Sequence, residues 1–454
     1  MKMIGKLKTY KSSEIEKSYV SIGFECLDRE LFNPEKCYDL LAESGVKHAR
    51  CQTGWIRCEK QKGVYDFSWL DEVVDNLLSR GIKPWFDVGF GNPLYMKDTP
   101  NEYCVGCVPL LFGDEAVEAW QSFVAATVRH FKDRVTHYEI WNEPDLPAFW
   151  YPGKPDARMC AELVSMTANI IKTVQPTAKT GINMSNVMGN PAFFDDFLVN
   201  VSPEHLDFFC CHMYQTMPEI GHRQFYADMR RRLDSHGFTG TEIWQGEGGY
   251  PSWAYKGHWL VNDGCDDERA QAVYQLRRYF IDISCGAKIS SFFQMADMWE
   301  KPYPKARDFI EKPAAHGILH GKTYTPKESY RTISNLVSLF SGDIKPKDLF
   351  MQVFIRKNGQ NKYLQAEQFT FEKNGKPVFA YYFATPLDRD DDLPYTATVK
   401  IYCKLETPVL VDMYTGDVYE VGDYRSYNGV FEFNELPLTN YPMVLTDKSC
   451  IEIV

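Results

Sequence analysis

Two segments of the chain carry carboxylates that could do acid–base or nucleophilic chemistry. Glu143 follows an apolar run between Asn142 and Pro144, and the proline ends that run because it cannot donate a hydrogen bond to a sheet. Glu247 follows a second apolar run, in the segment Trp-Gln-Gly-Glu-Gly at residues 244–248. One glutamate can give a proton to a leaving oxygen while the other attacks carbon or activates water. We therefore predict that Glu143 and Glu247 face each other across a substrate that carries hydroxyl groups.

Alternating strand and helix patterns must position these groups. From about residue 19 to 340 we count eight strand-then-helix units, and this alternation predicts a parallel sheet. Eight units over about 320 residues fit a closed (β/α)8 barrel better than an open doubly wound sheet. An open sheet would also place a glycine-rich phosphate loop after the first strand, whereas residues 25–29 contain no glycine.

The pattern changes after residue 340. Period-two apolar runs appear, separated by turns such as Asn358-Gly, Asn374-Gly and Asn428-Gly, which is typical of an antiparallel β-sandwich. We therefore predict a catalytic barrel at residues 16–340 and an accessory sandwich at residues 341–454. Residues 1–15 are a candidate additional strand of that sandwich.

In a (β/α)8 barrel the active site lies at the carboxyl ends of the strands. The polar and aromatic residues that we expect there to bind substrate are Arg50, Asn92, Asn142, His212, Tyr214, Trp299 and Glu300. Each also has a structural explanation: Arg50 could be an ion-pair partner, His212 a satisfied core histidine and Asn92 a loop residue. No histidine cluster with metal-ligand spacing and no serine nucleophile elbow is found, so we expect no metal and no cofactor.

Composition excludes several classes of function. The net charge of −11 disfavours binding to nucleic acid or acidic membranes, and no apolar run approaches the roughly 20 residues of a membrane span. The 13 cysteines are scattered, and no second CxxC accompanies Cys104 and Cys107, so structural thiols are favoured over a metal site. We expect a reduced, cytoplasmic protein. Whether it forms a homo-oligomer is left open.

Residues 141–144, Trp-Asn-Glu-Pro, together with a glutamate after the seventh strand, resemble the large (β/α)8 clan of retaining glycoside hydrolases. The chain is most similar to glycoside hydrolase family 39, whose members include β-xylosidases. The resemblance also lies in residues 63–71, 81–85, 91–95 and 411–417. It implies that Glu143 is the acid/base, that Glu247 is the nucleophile, and that Arg50, His212, Tyr214 and Trp299 support them.

The nucleophile segment departs from the family pattern. Family members usually carry threonine or serine before this glutamate, whereas this chain has Gly246. Glu242 is the rival candidate, but it stands early in the strand, where it would lie at the wrong depth. We prefer Glu247. The departure concerns the assignment of the chain to a subfamily, and therefore the sugar that the resemblance implies.

These observations predict a retaining, exo-acting β-glycosidase that hydrolyses short oligosaccharides or glycosides. The resemblance favours β-xylosides as substrates over glucosides, galactosides and arabinosides. Two alternatives stay open. An inverting hydrolase needs its carboxylates roughly 6.5–9.5 Å apart, rather than about 5–5.5 Å. A non-catalytic carbohydrate-binding barrel would not need both glutamates.

Overall fold

The computed structural model describes residues 1–215, 217–253, 267–298, 315–362, 364–387 and 395–454. In these ranges eight parallel strands close into a barrel in the order in which they follow along the chain, which confirms the predicted fold class. They are β1 (Val20–Gly23), β2 (His48–Gln52), β3 (Lys83–Val88), β4 (His137–Ile140), β5 (Lys179–Met184), β6 (Phe208–His212), β7 (Glu242–Glu247) and β8 (Ser290–Phe292).

Helices cover the outside of the barrel, and those that face solvent bury one apolar face against it. In the helix that joins β2 to β3, the buried residues Leu70, Val73, Val74 and Leu77 recur at helical spacing. The helices of the described ranges are α1 (Tyr38–Glu43), α2 (Trp55–Cys58), α3 (Ser68–Ser79), α4 (Asp114–Phe131), α5 (Ala157–Val174), α6 (Pro191–Asn200), α7 (His222–Ser235), α8 (Glu268–Ser284) and α9 (Glu328–Phe340). No described helix is long and apolar enough to cross a membrane.

Side chains fill the barrel interior in layers. An aromatic layer contains Trp85, Phe208 and Trp244, with the rings of Phe208 and Trp244 stacked at 4.2 Å and those of Trp85 and Trp244 at 5.5 Å. The guanidinium of Arg50 lies 5.6 Å from the ring of Trp85 and is fully buried. A charged layer therefore follows the aromatic layer toward the carboxyl ends of the strands.

The remaining strands form two antiparallel sheets and one short hairpin. The larger sheet contains, in spatial order, Lys2–Lys6, Asp417–Glu420, Pro408–Asp412, Met443–Asp447, Lys376–Tyr382, Glu367–Lys373 and Ile344–Pro346. The smaller sheet contains Gln360–Asn361, Met351–Lys357, Thr396–Ile401, Val430–Pro437 and Tyr424–Tyr427. The hairpin consists of Glu59–Gln61 and Val64–Tyr65. Phe379 and Leu410 of the larger sheet pack in one core with Val399 and Phe433 of the smaller sheet, so the two sheets form a sandwich.

The larger sheet packs against α8 of the barrel. Phe280 lies in ring contact with Phe369 and Phe371 of that sheet. Arg277, also on α8, donates to the backbone carbonyl of Asn440 at 2.6 Å. Apolar packing and a buried cation thus join the barrel to the sandwich.

Candidate active site

The turn after β4 holds Glu143 in an unusual backbone conformation. Trp141 and Glu143 both have positive φ, at 68° and 44°, a region that residues other than glycine rarely adopt. Asn183, at the end of β5, supports this turn: its Oδ1 accepts a 2.6 Å hydrogen bond from the backbone N–H of Glu143, and its Nδ2 donates to the carbonyl of Trp141 at 2.8 Å. The amide thus offsets backbone strain of about 1–3 kcal/mol per residue.

A bulge in β7 determines where Glu247 points. Gln245 pairs with Cys211, but Glu247 pairs with the next residue, His212, so one extra residue, Gly246, lies in β7. Since side chains alternate between faces, the extra residue turns Glu247 to the same face as Trp244. A Cβ at position 246 would lie 2.7 Å from the Cβ of Cys210 and 3.1 Å from Nε2 of His212. This close approach explains why glycine precedes the glutamate.

Arg50 gathers the carboxylates of the charged layer. Its guanidinium donates to Glu247 at 2.9 Å and to Glu139 at 2.6 Å, and it also donates to Glu25. Asp87 lies 3.3 Å from the same group. The arginine side chain is fully buried, and the side chain of Glu247 is 13% exposed, so this cluster has little access to water.

One guanidinium cannot balance four carboxylates, and the protonation of the cluster reflects this. Burial raises the pKa of Glu25 well above its ordinary value and also raises that of Glu139, while Arg50 opposes both shifts. Burial raises the pKa of Asp87 to about 7. These upward shifts favour protonation within the cluster, and a protonated carboxyl group repels Glu247 less than a carboxylate does.

His212 stands between the two candidate catalytic glutamates. Its Nδ1 lies 3.0 Å from Oε1 of Glu143 and 3.7 Å from Oε2 of Glu247. The three side chains each offer an atom within 4.8 Å of the others, so the two carboxylates are close neighbours. Burial lowers the pKa of His212 to about 3, which leaves the imidazole neutral at neutral pH.

The two glutamates have different surroundings. Glu143 is 7% exposed, and burial raises its pKa to about 7 although Arg50 opposes the shift. Glu247 accepts one hydrogen bond from Arg50 and another, at 2.6 Å, from the hydroxyl of Tyr214. Glu143 is thus placed to carry a proton near neutral pH, and Glu247 is held in one orientation by two hydrogen-bond donors.

The structure brings most of the sequence-derived site residues together. Oδ1 of Asn142 accepts from Arg50 at 2.9 Å, so Asn142 joins Arg50, His212 and Tyr214 around the two glutamates. Asn92 does not join them within the described chain. Its side chain is fully buried, donates to the carbonyl of Glu59 at 2.9 Å and accepts from the backbone of Leu94. Trp299 and Glu300 lie outside the described residues.

Three polar residues of the site were missed by the sequence reasoning: Asp87, Glu139 and Asn183. Each interrupts an apolar strand run, and each is buried. A charged or amide residue inside such a run was the available signal, because burying such a group is costly unless a partner compensates it.

Glu143, His212 and Glu247 could also supply three metal ligands, since their ligand atoms are grouped within 4.8 Å. Their present contacts fit a metal poorly. Arg50 and Tyr214 already donate to the two oxygens of Glu247. A cation that close would repel a second one, so the donor set fits hydrogen bonding to a substrate better than coordination.

A closed (β/α)8 barrel with one glutamate after β4 and another at the end of β7 is an arrangement that a class of enzymes, the (β/α)8 glycoside hydrolases, uses. Within this class the chain is similar to glycoside hydrolase family 39. Residues 35–232 match the profile of "Glycosyl hydrolases family 39".

Two curated relatives are β-xylosidases. The protein from Geobacillus stearothermophilus is 28% identical over 147 residues, which is 31% of this chain and 28% of the relative. The protein from Caldicellulosiruptor saccharolyticus is 26% identical over 200 residues, which is 40% of this chain and 38% of the relative. The matched region thus spans well under half the length of these relatives.

Solved structures extend the likeness over the whole fold. A family 39 glycoside hydrolase from the gut symbiont Bacteroides cellulosilyticus WH2 has a TM-score of 0.69 at 17% identity, covering 97% of this chain and 83% of that one. A family 39 β-xylosidase from Caulobacter crescentus has a TM-score of 0.56 at 18% identity, covering 98% and 97%. At these identities the likeness concerns the fold.

Proposed function

We propose that the protein is a retaining, exo-acting β-glycosidase in which Glu247 is the nucleophile and Glu143 the acid/base. The observation that carries this proposal is the close approach of the two carboxylates, whose oxygens lie within 4.8 Å of each other. Retaining enzymes hold their two carboxyl groups about 5–5.5 Å apart, whereas inverting enzymes leave roughly 6.5–9.5 Å for a water molecule. The spacing supports the retaining route.

The first half of the reaction breaks the glycosidic bond. The carboxylate of Glu247 attacks the anomeric carbon as the bond to the leaving oxygen breaks, and Glu143 gives its proton to that oxygen. Arg50 and Tyr214 hold the carboxylate of Glu247 in one orientation before the attack. The raised pKa of Glu143 keeps the proton available near neutral pH.

The second half releases the sugar. Glu143, now ionised, takes a proton from water as that water attacks the anomeric carbon and displaces Glu247. His212 is neutral and lies 3.0 Å from Glu143, so it fixes this carboxylate by a hydrogen bond and adds no charge. Asn142 accepts from Arg50 through Oδ1, which leaves its Nδ2 as the group that can donate to a sugar hydroxyl.

Among sugars, we propose a β-xyloside as the substrate. Both curated relatives are named β-xylosidases, and the family match covers the part of the chain from α1 to α7 that contains Glu143, His212 and Tyr214. A β-glucoside, β-galactoside or arabinoside on the same scaffold is the alternative.

A panel of aryl α- and β-glycosides tests the proposal. We expect turnover of β-xylosides, its loss in Glu247→Ala, and first release of the β-anomer as followed by proton NMR. First release of the α-anomer would establish inversion. Failure of the wild-type protein to turn over any member, with binding retained, would establish the carbohydrate-binding alternative instead.

A further inference from the structure

A buried arginine lies behind the part of the barrel wall where β6 and β7 end. Arg278 stands on α8 and is 5% exposed. Burying a charge is costly unless other groups compensate it. Asp282, one turn further along α8, accepts hydrogen bonds from Nε of Arg278 at 2.9 and 3.1 Å. The charge of the guanidinium is therefore balanced within the helix, and its two terminal nitrogens make contacts outside it.

Asp282 ties the arginine to neighbouring elements of the barrel. This carboxylate is fully buried. Its Oδ1 also accepts a 2.9 Å hydrogen bond from the hydroxyl of Tyr226 on α7, and its Oδ2 accepts one of 2.7 Å from the hydroxyl of Ser290 on β8. Arg278 is thus supported by two helices and a strand rather than by a loop, and groups held by such elements are positioned more accurately than groups on loops.

The two terminal nitrogens of Arg278 contact the ends of two adjacent strands. Nη1 donates to the backbone carbonyl of Met213, directly after β6, at 2.7 Å. Nη2 donates to Oε1 of Gln245, near the end of β7, at 2.5 Å. A guanidinium is planar and holds its donors in a fixed geometry. One side chain therefore fixes the end of β6 relative to the end of β7.

Gln245 extends this contact to the backbone of Glu247. Its Nε2 donates to the carbonyl of Glu247, so the side chain spans the bulge that Gly246 makes in β7. Gln245 is 1% exposed, and both ends of its amide are engaged, since Oε1 accepts from Arg278. The backbone that carries the proposed nucleophile is thus connected to α8 by two successive hydrogen bonds.

Met213 connects the same arginine to Tyr214. The two residues are adjacent in the chain, and the hydroxyl of Tyr214 donates to Oε1 of Glu247 at 2.6 Å. One route from Arg278 runs through Met213 to the donor of this hydrogen bond, and the other runs through Gln245 to its acceptor. A single guanidinium therefore constrains both partners of the Tyr214–Glu247 hydrogen bond.

The residue after Glu247 leaves room for these contacts. A Cβ at position 248 would lie 2.7 Å from Nε2 of Gln245 and 3.0 Å from the carbonyl oxygen of Met213. It would also lie 3.5 Å from Nη2 of Arg278. A side chain at this position would push the first two groups away, so Gly248 permits the three groups to meet next to the proposed nucleophile.

We infer that Arg278 is a positioning residue for the nucleophile, and that it sets the Tyr214–Glu247 hydrogen bond through Met213 and Gln245. The inference rests on the proposed function, in which Glu247 attacks the anomeric carbon. A misplacement of the attacking group by about 1 Å can lower the rate by about 10²-fold. Replacing Arg278 should therefore lower kcat, while KM stays nearly constant because the groups that bind the substrate remain.

Arg278→Lys is the first variant to measure. Lysine keeps a positive charge beside Asp282 but lacks the fork of donors that reaches Met213 and Gln245 together. On the aryl β-glycoside that the wild type hydrolyses fastest, we expect kcat to fall by about tenfold to 10²-fold and KM to change by less than about threefold.

Arg277→Lys is the matched control for damage to α8. Arg277 is the preceding residue of the helix, is also fully buried, and donates to the backbone carbonyls of Asn440 and Thr385 at 2.6 and 2.9 Å. This control variant should melt at a lower temperature and keep the kcat of the wild type. Equal losses of kcat in the two arginine variants would assign the effect to general disturbance of the helix and overturn the inference.

A double-mutant cycle on kcat separates positioning from a structural role. Gln245→Met removes the donor to the carbonyl of Glu247, and Tyr214→Phe removes the donor to its carboxylate. If both act on one hydrogen bond, the combined loss should be smaller than the product of the two single losses by about threefold or more. A combined loss equal to that product would contradict the inference. This cycle also decides the matter if Arg278→Lys does not fold.

The same assays distinguish the failure of this inference from the failure of the proposed function. If the wild type hydrolyses no glycoside of the panel, the proposed function is wrong and the inference is wrong with it. If the wild type is active and Arg278→Lys has the same kcat, the inference alone is wrong.

Discussion

Arg50 and Glu247 form a 2.9 Å ion pair at the bottom of the candidate active site, and the arginine is fully buried there. The same guanidinium contacts Glu25, Asp87 and Glu139. The charge of the proposed nucleophile is therefore part of a larger buried cluster. Substitutions throughout this cluster should change the rate of the reaction.

Replacing Arg50 by methionine should lower both stability and turnover. The change leaves buried carboxylates without their cation, which typically costs about 3–5 kcal/mol of unfolding free energy. Urea unfolding measures the first effect, and steady-state kinetics on the wild-type substrate measures the second. The surface arginine Arg425 provides a matched control, because Arg425→Met removes the same charge from an exposed strand. Equal stability of the two variants would contradict this account of the cluster.

Glu247→Ala should abolish turnover of every substrate, with a loss on the order of 10⁴-fold, because it removes the carboxylate proposed to attack the anomeric carbon. Stopped assays with an activated aryl glycoside measure the residual rate. The thermal melting of the variant serves as the folding control. Residual activity close to that of the wild type would rule out Glu247 as the nucleophile.

Glu143→Ala should discriminate between leaving groups. A poor leaving group needs its oxygen protonated, so the rate of bond cleavage should fall by about 10²–10⁴-fold. An activated aryl glycoside needs little protonation and should lose far less in that step. The ratio of kcat/KM for the two substrates, compared between wild type and variant, is the measurement. An equal loss for both substrates would argue against an acid/base role.

The pH dependence of kcat/KM should report the raised pKa of Glu143. Glu143 must carry its proton to act as the acid, so activity should decline as the pH rises through about 7. His212 stays neutral over this range and should add no limb near pH 7. The alkaline limb should disappear in Glu143→Gln assayed with an activated substrate. If the alkaline limb of the profile persists unchanged in that variant, it arises from the titration of another group.

Gly246→Ala should impair the site without touching either glutamate. The added methyl group would lie 2.7 Å from Cys210 and 3.1 Å from His212, so one of these side chains or the bulge of β7 must shift. A shift of about 1 Å in a catalytic group can lower the rate by about 10²-fold. Gly240→Ala, where a methyl group meets open space, is the control. Comparable kcat values for both variants would refute the role assigned to the bulge.

Asn183→Ala tests the support of the Glu143 turn. It removes the acceptor of the Glu143 backbone N–H and the donor to the Trp141 carbonyl, leaving buried groups unpaired at a cost of about 1–3 kcal/mol. We expect a lower melting temperature together with a lower kcat. Asn200→Ala, at an exposed helix end, should change neither. A variant with lower stability but unchanged kcat would show that the turn keeps its shape without Asn183.

The sequence by itself determined the barrel, the sandwich and the two glutamates that are candidates for catalysis. Strand and helix periodicities are local properties, and the position of Glu143 and Glu247 at strand ends follows from them. The expectation that Arg50, Asn142, His212 and Tyr214 gather near these glutamates also followed, because the carboxyl ends of parallel strands meet at one rim.

Only the tertiary structure decided which side chains of the site contact one another. Asp87, Glu139 and Asn183 stand on three neighbouring strands, and their contacts with Arg50 and Glu143 depend on barrel closure and register. The bulge at Gly246 turns Glu247 to the opposite face of the sheet, and an alternating pattern of polar and apolar residues does not predict such a bulge. Asn92 looked like a site residue by its position at a strand end, but its side chain donates to the carbonyl of Glu59 and accepts from the backbone of Leu94. Long-range pairing and burial set these relationships, and neither can be read from neighbouring residues alone.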